Sequence, residues 1–269
     1  MRVPGKNTLL LFLLFEVSFT MACKKDKQPS KTILVEVPPE IEVPQKNYIP
    51  IQLGSGRSQM KLSYTSNHSI SKIEYADGSS TVMSYTTDGK PFGLSRYNGK
   101  TLVFSNEYIL DKNGIVVSVY QYILNEQGFN AIGHYDMTYN TQQQLIAVSY
   151  YDRYDKLLSD QHRTYDAIGN LTSEKSNSAE LTTDYLYDDK NGLFKNVKYA
   201  WLLSVEKENK LFLSVLNNIR QCNYSLMPDS NQNFSYIYNI NKYPETVSST
   251  AKGITSSIAV TYLAIETSQ

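Results

Sequence analysis

The stretch that decides the fold is Tyr165-Asp166-Ala167-Ile168-Gly169-Asn170-Leu171-Thr172. An Asp placed after a strand-type Tyr opens a turn, because its side chain accepts backbone N–H groups just downstream. Gly169 supplies the positive φ that residues with a Cβ resist. Tyr165 before the turn and Leu171 after it then pair across two strands, which favours this register.

Degenerate copies of the unit lie on both sides of it. They are Tyr85-Thr86-Thr87-Asp88-Gly89-Lys90, Leu110-Asp111-Lys112-Asn113-Gly114-Ile115, Leu124-Asn125-Glu126-Gln127-Gly128, Tyr139-Asn140-Thr141-Gln142-Gln143-Gln144-Leu145 and Tyr151-Asp152-Arg153-Tyr154-Asp155-Lys156-Leu157. Starting positions 110, 124, 139, 151 and 165 are 14, 15, 12 and 14 residues apart. Such a step leaves one strand of about eight or nine residues plus one turn. Strands joined by tight turns are antiparallel. Asp77-Gly78 and Asn98-Gly99 add shorter turn signals. The expected fold is therefore all-β, an antiparallel up-and-down meander over residues 55–265 that forms a curved sheet or soluble barrel.

The strands are not those of a membrane barrel, whose outer face is apolar over about 9–11 residues. Residues 157–165 place Ser159, Gln161 and Arg163 on one face and Asp160, His162 and Thr164 on the other. Met60, Leu62 and Tyr64 alternate with polar residues, as half-buried strands in water do. Between the repeats and the last strands, Val197, Trp201 and Val205 share helical spacing, as do Phe212, Leu216 and Ile219. One or two short helices are expected near the C-terminal third, a weaker one at 197–205 and another at 210–219. Their expected role is to plug a barrel end or cover a sheet edge. Strands resume at 233–239 and 255–265.

The first 23 residues read as an export and anchoring signal. Arg2 and Lys6 precede an apolar run at 8–15 that is too short to span a bilayer as a helix. Thr20-Met21-Ala22-Cys23 resembles a bacterial lipobox, which implies a signal peptide over 1–22 and an acylated Cys23. The lipid bilayer is then a partner, since each buried methylene adds about 0.8 kcal/mol. Residues 23–54 form a Pro-rich tether, with Pro29, Pro38, Pro39, Pro44 and Pro50 holding it extended. The expected location is the outer membrane, on its periplasmic or its cell-surface face. If Cys23 is acylated, Cys222 is the only thiol left, so no disulfide scaffold exists within the chain. Cys222 reads as a buried small hydrophobe.

Two resemblances follow from these residues. The unit at 165–172 resembles the tyrosine-aspartate repeat of rearrangement-hotspot proteins, which build β-shells. The lipobox, the repeat, Tyr187-Asp188-Asp189-Lys190-Asn191-Gly192-Leu193-Phe194 and Tyr238-Asn239-Ile240-Asn241-Lys242-Tyr243-Pro244 resemble a family of secreted Bacteroides-type lipoproteins. That family implies a porin-like fold and supplies no catalytic residues.

Composition narrows function by exclusion. The 269 residues carry 26 Lys plus Arg against 26 Asp plus Glu, so the chain has no net charge with which to attract nucleic acid. Mean hydropathy of −0.39 is too low for a helical membrane protein. No HExxH, CxxC pair or Walker loop occurs, and no cofactor or metal set is expected. The pairs Asp152 with Asp155 and Asp188 with Asp189 fall in turns where Asp already has a structural task. Tyr is the one excess, at 22 residues against 9 Phe and 1 Trp. Tyrosines on a strand face can stack on sugars or fill an interface. Tyr120, Tyr122, Tyr150, Tyr151 and Trp201 are the candidate ligand contacts. The expected function is a non-enzymatic envelope module that binds a glycan or an envelope protein. A structural shell subunit and a hydrolase with loop carboxylates stand as alternatives.

Overall fold

A computed structural model of the chain describes residues 46–266 apart from 179, 207 and 208. The expected signal peptide, Cys23 and the expected tether up to residue 45 lie outside the described residues. Sixteen strands run in chain order. They are β1 (Asn47–Leu53), β2 (Met60–Tyr64), β3 (Ile70–Tyr75), β4 (Ser79–Tyr85), β5 (Pro91–Asn98) and β6 (Thr101–Leu110). Next come β7 (Val116–Asn125), β8 (Gly128–Tyr139), β9 (Leu145–Asp152), β10 (Leu157–Tyr165) and β11 (Leu171–Ser176). The last are β12 (Leu181–Tyr187), β13 (Ile219–Tyr224), β14 (Gln232–Tyr238), β15 (Pro244–Ala251) and β16 (Ile254–Ile265). Each pairs antiparallel with its sequence neighbour, and β1 pairs with β16, so the expected meander closes into a barrel.

The closing strand corrects the tether boundary. Asn47 to Leu53 belong to the barrel, although the prolines make this stretch read as linker to residue 54. Pro50 is tolerated because it sits where the β1–β16 register shifts, and a Pro at a bulge removes no ladder hydrogen bond.

One rim is built by a repeated five-residue turn. In the turns at 111–115, 140–144, 166–170 and 239–243, the side-chain oxygen of the first residue accepts the N–H groups of the third and fifth. Thr65 and Thr86 do the same for the fifth residue of theirs. The flanking residues pair as expected, Tyr165 with Leu171, Tyr139 with Leu145 and Tyr64 with Ile70, each beside a register shift. The tyrosines before the turns point inward, and their hydroxyls donate to a carbonyl on the preceding strand. Tyr85 reaches the Ile70 oxygen at 2.7 Å, Tyr139 that of Val116 at 2.8 Å and Tyr165 that of Leu145 at 2.8 Å. Tyr64 donates likewise to Pro50.

The segment between β12 and β13 is one of these turns with a long insertion. Asp188 opens it and accepts the N–H of Lys190 and, thirty residues on, that of Asn218. The inserted residues fill the lumen. Leu193, Phe194, Val197, Leu202, Leu203 and Phe212 pack against wall residues such as Ile49, Leu62, Ile73, Leu94, Val119 and Val148. The expected helix at 197–205 is α1 (Ala200–Val205). The expected helix at 210–219 is only a 3-10 turn, Lys210–Leu213. Beyond it the backbone bonds sideways instead, with Phe194 donating to Ser214 and Gly192 to Leu216. Both segments plug the barrel.

Glu206, just after α1, is buried against the wall. Tyr135 and Tyr108 donate to its Oε1 at 2.5 and 3.2 Å, and Arg96 Nη2 donates to its main-chain oxygen at 2.8 Å. Burial raises its pKa above the usual carboxylate range, against the opposing pull of these partners.

The outer wall carries charged side chains among exposed apolar ones such as Ile109, Leu186 and Ile237. Lys61 pairs in register with Glu74, which Lys72 meets at 2.7 Å, and His162 contacts Asp160 at 2.9 Å. Arg163 points inward rather than out and bonds the Glu174 carboxylate at 2.8 Å.

Candidate functional site

The structure separates the five candidate aromatic residues into three places. Tyr120, Tyr122 and Tyr151 come together on the outer wall. Tyr150 faces the lumen, where it pairs with the buried Tyr135, and burial pushes its hydroxyl up to about 12. It cannot reach an external ligand. Trp201, on α1, lies half-buried at the plugged rim in an edge-on contact with Tyr139 at 6.2 Å.

The outer group forms an aromatic strip across three strands. His134 on β8 is the cross-strand neighbour of Tyr120 on one side and of Tyr151 on the other. Its ring lies parallel to Tyr151 at 4.6 Å, 8° from coplanar, and 5.4 Å from Tyr120. Asp155 approaches His134 Nδ1 at 3.7 Å. Gly133 permits this closeness. A Cβ there would sit 2.1 Å from the Tyr151 carbonyl oxygen, and its φ of +153° is one that other residues rarely adopt. The strip is open at Tyr120, which is 44% accessible, while His134 and Tyr151 are half-buried.

Beside it lies a groove of about 360 Å3, walled by Phe92, Tyr122 and Phe129 with Glu107, Ser95 and Ser105 between them. Phe92 and Phe129 are 54% and 62% exposed. Two large phenylalanines at this exposure, side by side on one groove, give the wall a surface suited to a partner. The two phenylalanines carry no turn or repeat signal. Only strand parity could have added them to the tyrosines, and parity is obscured by the register shift between Gln121 and Tyr122.

The turn carboxylates are engaged as structure. Asp152 accepts the N–H groups of Tyr154 and Lys156, Asp188 those of Lys190 and Asn218, and Asp189 pairs with Lys190 at 2.9 Å. Hydrogen bonds from Lys156 and Tyr154 hold the Asp152 carboxyl below its ordinary range. Among the described residues, no three His, Cys, Asp or Glu side chains gather as a metal set would. Cys222 is buried, and burial pushes its thiol up to about 11, away from the reactive thiolate.

No protein-family model matches the chain, and no curated protein matches it. Among solved structures, a porin-like protein from Bacteroides uniformis is similar at 13% identity, over 82% of this chain and 99% of that one, with a TM-score of 0.49. A TcdB2–TccC3–Cdc42 structure is similar at 10% identity over 75% of this chain and 12% of that one, with a TM-score of 0.23. The Tc holotoxin pore of Photorhabdus luminescens gives the same figures, and this chain spans only about an eighth of either toxin chain.

Proposed function

We propose that this protein is a non-enzymatic binding module of the cell envelope whose outer-wall aromatic strip engages a glycan. One observation carries the reading. Tyr120, His134 and Tyr151 lie side by side, with His134 stacked on Tyr151, beside a groove walled by Phe92, Tyr122 and Phe129. Flat apolar rings flanked by Glu107 and serines suit a sugar, whose ring has an apolar C–H face and a hydroxyl edge. The stack is preorganised, so little ordering opposes binding.

The test is co-sedimentation of the purified protein with insoluble cell-wall and surface polysaccharides. Tyr120→Ala with Phe129→Ala should weaken retention about tenfold or more, equivalent to about 1.4 kcal/mol. Unchanged retention by a double variant that melts like the wild type would sink the proposal.

The anchoring proposal rests on Arg2, Lys6, the apolar run at 8–15 and Cys23. It places the protein on the outer membrane, held by lipid on Cys23. Cys23→Ser should release it from the membrane fraction, and protease treatment of intact cells would tell the two faces apart. Continued attachment of Cys23→Ser would refute it.

A further inference from the structure

A second feature lies inside the barrel, toward the rim opposite the one where the plug enters. Between the 3-10 turn Lys210–Leu213 and the inner face of β14, β15 and β16, the plug leaves a cavity of about 400 Å3. That volume falls within the roughly 300–1,000 Å3 of small-molecule sites. Register orders its wall from mouth to floor. Gln232, which opens β14, pairs with Ala251, which closes β15, and both stand at the mouth. Phe234, Ser249 and Ser256 form the next row, and Val247 with Ile258 the deepest. Val247 belongs to the core, and Phe234 and Ile258 pack against it.

Lys210 is the one charged residue lining this cavity. Its side chain is half-buried, and its ammonium lies 4.3 Å from the ring centre of Tyr224, the last residue of β13, and 5.5 Å from that of Tyr185. The rings attract a cation but supply no counter-charge. No acidic side chain lines the cavity, and Lys210 forms no ion pair among the described residues. A cation withdrawn into a recess is best completed by an anion. The other polar groups ask little of a ligand. The Ser249 and Ser256 hydroxyls bond each other at 3.1 Å, and the Asn209 oxygen accepts the Leu211 N–H at 2.9 Å. A ligand rich in hydroxyls would find few partners here, whereas an apolar chain would meet Phe234, Val247 and Ile258.

We propose that this cavity binds a fatty-acid-like carboxylate, its head on Lys210 at the mouth and its chain running down the inner wall. From Ala251 to Val247 the strand advances four residues, about 13 Å at 3.4 Å each, which matches a chain of about ten carbons. The site is separate from the aromatic strip and does not depend on what the strip binds.

The test is calorimetric titration of the purified full chain with sodium decanoate below its micelle concentration. Glucuronate, with the same head on a polar body, and decyltrimethylammonium, with the same chain on a cationic head, are titrated alongside. Decanoate should bind saturably, and each of the other two at least tenfold more weakly. Lys210→Gln should weaken decanoate at least tenfold and Lys210→Arg should restore it, while Phe129→Ala on the strip leaves the titration unchanged. The proposal is overturned by no saturable binding of decanoate or by equal binding of either comparison compound. It is overturned equally by an unaltered titration in Lys210→Gln or by loss of binding in Phe129→Ala. Should Lys210→Gln fail to fold, the three titrations of the wild type still decide.

Discussion

At the plugged rim, Tyr64, Tyr85, Tyr139 and Tyr165 point into the lumen and tie one strand to the next through a carbonyl. At the opposite rim, the turn at 152–156 bonds in the same way, yet Tyr151 before it points outward and lies flat on His134. The difference is strand parity. On β9, Val148 and Tyr150 face inward, which sends Tyr151 out; on β10, Arg163 faces inward, which keeps Tyr165 in. A tyrosine before an Asp turn is therefore not one kind of residue. The turn is set locally, while the number of residues separating it from the last core contact decides whether the ring braces the barrel or faces a partner.

The same comparison places the plug. It enters only at the rim where the tyrosines brace the wall, through a turn opened by Asp188. If the rims differ because one carries the lumen core, removing a plug side chain should be the most damaging change. Phe212 is fully buried, and its ring lies 4.5 Å from that of Phe194. Phe212→Ala should cost about 3–5 kcal/mol, read from the midpoint of denaturant unfolding. A loss below about 1 kcal/mol would mean that the barrel stands without its plug.

Glu206 tests the join between plug and wall. Glu206→Ala leaves the Tyr108 and Tyr135 hydroxyls without their acceptor and should cost about 2–4 kcal/mol. Glu206→Gln keeps an acceptor and removes the charge. The native pKa is raised, chiefly by burial, so the native state favours the protonated form. The stability Glu206 contributes is thus full below its unfolded pKa of about 4 and is lost as pH rises through the native value. Asp111 runs the other way. The N–H of Ile115 leads the bonds that hold its pKa low, so its contribution is lost as pH falls. Subtracting Glu206→Gln from wild type cancels the turn aspartates. The difference should move in favour of Glu206→Gln as pH rises from about 4. A flat difference would mean that Glu206 titrates alike folded and unfolded.

Much of this was legible where the interactions are local. Asp166 bonds to N–H groups two, three and four residues on, so the turn at 166–170 and the ends of β10 and β11 follow from the sequence. Non-local choices were not legible. Strand β1 was hidden because Pro50 reads as linker until the β16 partner and its register shift are known. The helical spacing of Phe212, Leu216 and Ile219 misleads because the backbone after Leu213 bonds to Gly192 and Phe194 rather than to itself. For the strip, tyrosine content drew attention to aromatic side chains on strands. It could not separate Tyr150 from Tyr151, adjacent residues on opposite faces of one strand.

The smallest effect compares the rims at a single backbone angle. The fourth position of the turn is held at positive φ by Lys242 at the plugged rim, φ 64°, and by Asp155 at the other, φ 61°. Left-handed backbone costs an ordinary side chain about 1–2 kcal/mol, and Gly gives back roughly 0.5–1 kcal/mol through its freer unfolded chain. Lys242→Gly should therefore stabilise by about 0.5 kcal/mol. Asp tolerates this region better through local hydrogen bonds, and Asp155 also contacts His134. Asp155→Gly should change stability little, because the relief is smaller and the exposed contact is worth at most about 1 kcal/mol. Equal gains at both positions would mean that neither the better tolerance of Asp for this region nor the His134–Asp155 contact contributes. A clear loss confined to Asp155→Gly would mean that this turn is held for the aromatic strip it supports, at the expense of its own backbone.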